Sequence, residues 1–174
     1  MRSSILVTAV ASLCICLVCL PSGARGFDGE RKGLVIGGGA GPGLWYDSHP
    51  EPVTKGGLVT DLKVGWGINS ELLLFLTTKP FWCCGGAIVN PMAGITYYLN
   101  EHSPSFHLSG GLGVSQRINI RGTGDPYFTT VHLGAGYEAS AHLSIEATVI
   151  RTEVAAGTVS GDWFFGLALN VLAY

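Results

Sequence analysis

The chain has 174 residues, a formal net charge of −2, and 13% charged against 47% hydrophobic residues. Ordinary soluble domains carry about 25% charged residues, so a conventional water-facing surface is excluded, and the weak net charge gives no basis for nucleic-acid binding. Twenty-six glycines oppose a helical fold. Beyond Gly26 no apolar run approaches the roughly 20 residues of a membrane-crossing helix.

The first element reads as a targeting segment. Arg2 supplies a positive start, Ile5 to Leu20 is apolar and uncharged, and Pro21-Ser22-Gly23 breaks the run. Ala24-Arg25-Gly26 then offers small residues where a signal peptidase reads them. The expectation is a signal peptide over residues 1–26, cleaved to leave one domain from Phe27 to Tyr174. Cys14, Cys16 and Cys19 follow Leu, Ile and Val, not the small residue that a lipoprotein peptidase needs. Export leaves Cys83 and Cys84, side by side. In an oxidising compartment they could join as a vicinal disulfide or pair with another chain, against a plainer reading as two small apolar residues.

The mature part alternates between strand-like runs and turn-rich breaks. Eight runs are predicted: Lys32–Tyr46, Gly57–Asn69, Leu72–Phe81, Ala87–Leu99, Ser105–Asn119, Phe128–Ala139, Leu143–Val154 and Trp163–Tyr174. In the first, Val35, Gly37, Gly39, Gly41 and Gly43 share a face. In the second, Leu62, Val64, Trp66 and Ile68 oppose Asp61, Lys63, Gly65, Gly67 and Asn69. The third is apolar on both faces from Leu72 to Leu76. In the fifth, Phe106, Leu108, Leu112 and Val114 oppose His107, Ser109, Gly111, Gly113, Ser115 and Arg117. In the sixth, Val131, Leu133, Ala135 and Tyr137 oppose His132, Gly134, Gly136 and Glu138. In the seventh, Leu143, Ile145, Ala147 and Val149 oppose Ser144, Glu146 and Thr148. In the last, Asn170 shares a face with Leu172 and Tyr174, which calls for a bulge or a reversed face.

A period of two means strands, and the polar face is mostly Gly, Ser and Thr. Such residues suit a narrow interior, while the large apolar side chains suit lipid. A sheet in lipid must close on itself, and eight strands give a barrel that side chains can fill. The breaks alternate between short (Asn69–Glu71, Asn100–Pro104, Ser140–His142) and mostly longer (Asp47–Gly56, Trp82–Gly86, Ile120–Tyr127, Ala155–Asp162). Short turns then mark the periplasmic side. The expected fold is all-β, an eight-stranded antiparallel up-and-down transmembrane β-barrel.

Three stretches carry a resemblance: Glu30 to Gly39, Gly94-Ile95-Thr96-Tyr97-Tyr98-Leu99, and Gly134 to Glu146. With the terminal Tyr174, they resemble the small outer-membrane β-barrel family that includes the OmpX-like and OmpA-like barrels. The resemblance implies a Gram-negative outer-membrane location. It also implies outer-membrane lipid, lipopolysaccharide and the outer-membrane assembly machinery as partners, and Tyr174 as the signal that the machinery reads. It fixes no activity.

The candidate site is a lumenal polar network of Asp61, Lys63, His107, Arg117, His132, Glu138 and Glu146. Glu138 and Glu146 are expected to be matched by His107, Arg117 or Lys63, because buried charge is costly unless paired. The network would fill the lumen of a structural or surface-interaction protein; the alternative is a small diffusion pore. His107-Leu108-Ser109 is similar to the His-x-Ser of lipid A deacylases, but the pair faces the lumen, away from a lipid substrate, so no enzyme is expected. No cofactor or metal is expected either. Trp45, Tyr46, Phe81, Trp82, Tyr97, Tyr98, Tyr127, Phe128, Trp163 and Tyr174 are expected in interfacial girdles. Cys83 and Cys84 are expected on an extracellular loop.

Overall fold

The computed structural model describes residues 30–47, 51–119, 128–153 and 161–174. The expected leader lies outside these residues, as do the break Ile120 to Tyr127 and most of Ala155 to Asp162. Ten strand segments are present: β1 (Gly33–Asp47), β2 (Val53–Gly67), β3 (Leu72–Thr78), β4 (Phe81–Cys83), β5 (Gly86–Val89), β6 (Pro91–Tyr98), β7 (Ser105–Asn119), β8 (Phe128–Ser140), β9 (Leu143–Glu153) and β10 (Gly161–Ala173). They form eight staves. β3 and β4 make one, interrupted at Lys79-Pro80; β5 and β6 make another, interrupted at Asn90. Neighbouring staves pair antiparallel, and β1 pairs with both β2 and β10, which closes the barrel and leaves no free edge.

The split staves depart from the unbroken third and fourth runs expected. Pro80 has no N–H to offer a ladder. Its carbonyl still accepts from Thr60 N at 3.0 Å, and Asn90 Nδ2 donates to Lys79 O at 2.9 Å across the facing gap. Alternation survives the interruption: Leu73, Phe75, Thr77, Lys79 and Phe81 are all buried inside. The break at Trp82–Gly86, expected as a longer loop, is a two-residue turn. Cys83 pairs with Gly86, and Cys84 and Gly85 both have positive φ, 54° and 78°, as a type I′ hairpin requires.

The outward face is apolar along the whole circuit, with Leu62, Trp66, Leu76, Phe106, Leu112, Leu133 and Leu169 exposed. In water this belt would be a very large hydrophobic patch; against acyl chains it is the expected lipid face of a barrel. The last stave needs no bulge. Phe164, Ala168, Asn170, Leu172 and Tyr174 all turn inward, Phe164 into one buried apolar cluster and Leu172 and Tyr174 into another. A register shift occurs instead between Glu138 and Ser140, where β8 meets β9.

The glycines of β1 let neighbouring staves and lumenal side chains come close. A Cβ on Gly41 would lie 1.9 Å from the Leu167 carbonyl oxygen, and one on Gly39 would lie 1.9 Å from Asn170 Oδ1. Gly41→Ala must therefore push β1 away from β10. It should cost about 1–3 kcal/mol, the usual penalty of overpacking, in urea unfolding of the refolded barrel; an unchanged midpoint would contradict this contact.

Candidate functional site

Alternation turns the small and polar residues of every stave inward, so the candidate site is the lumen, which is filled in three tiers. The middle tier centres on Glu146 of β9. Lys79 Nζ donates to Glu146 Oε1 at 2.9 Å and to Asp61 Oδ2 at 2.7 Å. Lys63 Nζ lies 3.6 Å from Glu146 Oε2. His107 Nε2 is 3.3 Å from Oε2, and His132 Nε2 is 3.7 Å from Oε1. Ser109 Oγ reaches Oε1 at 3.5 Å, and Thr77 Oγ1 donates to Asp61 Oδ1 at 2.6 Å. All of these residues are buried. Two carboxylates face two ammonium groups, so their formal charges cancel within the tier.

The second tier closes the short-turn end around Glu138. Arg31 donates to it from Nη2 at 2.8 Å and from Nε at 3.2 Å. Arg31 Nη1 also donates to the carbonyls of Ser70 at 3.0 Å and Asn100 at 2.7 Å, so one guanidinium joins two turns to β8. Its Cζ lies over the Tyr98 ring, 4.0 Å from the ring centroid. Tyr174 OH donates to Glu138 Oε2 at 2.8 Å, and Ser103 Oγ donates to Oε1. Burial, then the hydrogen bond and charge of Glu138, push the Tyr174 phenol well above its ordinary range, so it stays protonated and keeps donating. Val35, Leu73, Tyr98, Leu172 and Tyr174 pack around this ion pair.

The third tier, toward the opposite end, is apolar. Trp45, Val59, Phe81, Ile88, Met92, Ile150 and Phe164 form one buried cluster. Trp45 stacks on Phe164 with centroids 6.2 Å apart, and Phe81 leans on Phe164 at 5.7 Å. At the mouth, Lys55 and Arg117 stand over the Trp45 ring at 4.6 and 4.7 Å, and Arg117 pairs with Asp162 at 3.4 Å.

Of the seven residues expected in one network, five come together: Asp61, Lys63, His107, His132 and Glu146. Glu138 belongs to the short-turn tier, and Arg117 stands at the other mouth. Glu138 is matched by Arg31 and Tyr174, not by His107, Arg117 or Lys63 as expected, because those three lie at other levels of the barrel. Arg31 and Lys79 were missed. Arg31 has the odd-numbered phase of Val35 and Gly37 but precedes the strand, and Lys79 has the phase of Leu73, Phe75 and Thr77, which a run apolar on both faces conceals. The aromatic girdle needs a similar correction. Tyr46, Trp82 and Tyr97 are exposed on the outer surface, but Trp45, Phe81, Tyr98 and Tyr174 are buried in the lumen, where wide rings seal it. Ser109 and His107 both face the lumen and share Glu146. Cys83 and Cys84 sit at the β4–β5 turn with free thiols, at the end opposite the short turns. Among the described residues no group of three or more His, Cys, Asp or Glu side chains is placed to hold a metal ion.

Comparison with solved structures places this architecture. Neisserial surface protein A superposes with a TM-score of 0.60 at 14% identity, covering 82% of this chain and 97% of its own. The N-terminal β-barrel domain of Pseudomonas aeruginosa OprF gives 0.53 at 16% identity, covering 81% and 98%. The chain has the fold of the small outer-membrane barrels. The outer-membrane enzyme PagL shares it as well, with a TM-score of 0.51 at 14% identity, covering 80% and 99%. No protein-family model and no curated protein matches the sequence.

The middle tier makes a quantitative prediction. Glu146→Gln removes the carboxylate that Lys63 and Lys79 share and leaves Asp61 to pair with Lys79, and loss of a buried partner costs about 3–5 kcal/mol. Lys79→Met combined with Glu146→Gln should cost less than the sum of the two single changes in a urea-unfolding double-mutant cycle. Additive costs would mean that the pair does not interact. At the short-turn end, Tyr174→Phe removes one hydrogen bond to a charged group and should cost about 1.5–3 kcal/mol by the same measurement.

Proposed function

We propose that the protein is an integral barrel of a bacterial outer membrane with a structural or surface-interaction role and a lumen that does not conduct. The observation that carries this reading is the filling of the lumen, in which an apolar plug, a paired ion cluster and an Arg31–Glu138–Tyr174 cap lie in series. Each tier opposes an ion for a different reason. The plug offers no hydration, the carboxylates and ammonium groups of the cluster are already engaged with one another, and the cap ties two turns together. The proposed environment is outer-membrane lipid and lipopolysaccharide against the apolar belt. The proposed assembly partner is the outer-membrane assembly machinery, with Tyr174 as the residue it reads.

A diffusion pore is disfavoured by the same filling. Catalysis by His107 and Ser109, which the shared fold of PagL brings into view, is disfavoured by their position. Glu146 is engaged by two lysines, and both side chains turn away from the lipid face. Refolded protein in planar bilayers should show no steady conductance at neutral pH. A large, persistent open state would overturn the sealed reading. Purified protein incubated with lipid A should release no fatty acid; release that Ser109→Ala abolishes would establish an enzyme instead.

A further inference from the structure

The mouth opposite the short turns holds a group of side chains that closure of the barrel does not need. Type I′ turns favour Asn, Asp or Gly at the central positions, because φ is positive there. Cys84 occupies one of them, at φ 54°. Its neighbour Cys83 turns toward the barrel and packs against the apolar plug. Cys83 and Cys84 are consecutive at this turn, and Lys55 and Arg117 stand at the same mouth. Both thiols line a cavity of about 170 Å³ together with Trp45, Lys55, Phe81 and Arg117. Two adjacent thiols therefore open into one small chamber with an aromatic floor and cationic walls.

We propose that Cys83 and Cys84 form a two-thiolate binding site for a soft monovalent cation of the Cu(I) class. Thiolates select soft d10 cations over hard ones, and a bound metal deprotonates a coordinating thiol outright. The balance is simple: one cation and two thiols give a bis-thiolate complex and two released protons, with no change of oxidation state. That complex carries one net negative charge. Lys55, and Arg117 shared with Asp162, stand where this charge develops. An uncharged pair of thiols gains nothing from two cations at its side; an anionic metal complex does. The apolar plug beneath the site keeps the cation at the mouth.

The test is an anaerobic titration of the reduced, refolded full-length barrel with Cu(I) against the chromophoric chelator bicinchoninate. Native mass spectrometry with Ag(I) serves as a second reading. One equivalent should be withdrawn from the chelator. Cys83→Ser and Cys84→Ser should each abolish this. Cys84→Gly relaxes the turn and should abolish it too, which separates ligation from turn strain. Lys55→Gln keeps both sulfurs and should weaken uptake by about tenfold, the usual effect of losing an outer-shell partner. A heat-dependent gel shift confirms that each variant is folded. The proposal is overturned by a reduced parent that takes no Cu(I), or by serine variants that take as much as the parent.

Discussion

Hydrocarbon offers no water to pair a backbone N–H or C=O, so a sheet that crosses it must satisfy every such group within itself. The pairing of β1 with both β2 and β10 is the answer to that constraint, and the rest of the molecule follows from it. Eight staves close a lumen that side chains fill. Alternation then sends one residue of each pair to lipid and the other into a confined interior. The outer residues need only be apolar, whereas the inner ones must fit one another in size and in charge.

The fit in size rests on glycine. Gly39 and Gly41 leave room for Asn170 and for the backbone of β10, while the wide rings of Trp45, Phe81 and Phe164 fill the opposite half. The fit in charge is made locally, tier by tier. Arg31 answers Glu138, and Lys63 and Lys79 answer Glu146 and Asp61. A buried charge without a partner would be costly, so these groups are placed at the same levels of the barrel. The stave interrupted at Pro80 shows how local the repair is. Pro80 interrupts the ladder, and the side chain of Asn90 spans the gap by binding the Lys79 carbonyl, which also positions that lysine's stretch of chain.

Much of this was legible in the sequence because a period of two is a strong signal when one face is Gly, Ser and Thr and the other is Leu, Val and Ile. The staves, their order and the inward facing of Asp61, Lys63, His107, His132, Glu138 and Glu146 follow from it directly. Lys79 was obscured because Leu72 to Leu76 is apolar on both faces, so the run gives no phase by hydrophobicity alone. Arg31 was obscured because it precedes the first strand, at Gly33, and reaches inward from outside the ladder. The aromatic residues misled for a physical reason. A ring at a strand end suits an interface and suits a lumenal plug equally well by composition, and only parity along the strand separates Trp82 on the surface from Phe81 inside. Pairing between tiers was not legible, since it depends on the stagger of the staves around the barrel.

The central claim is that the charged interior is sealed from water at both ends. Lysine reactivity reads this directly, because the described barrel has four lysines in contrasting places: Lys32 exposed, Lys55 half-buried at the mouth, and Lys63 and Lys79 buried at 4% and 1% exposure. Reductive methylation of the folded protein in detergent, read by peptide mass spectrometry, should modify Lys32 and Lys55 while Lys63 and Lys79 stay unmodified until the barrel is unfolded. Methylation of Lys63 and Lys79 in the folded state, at the rate of Lys55, would mean that solvent and reagent pass freely through the lumen and would contradict the account.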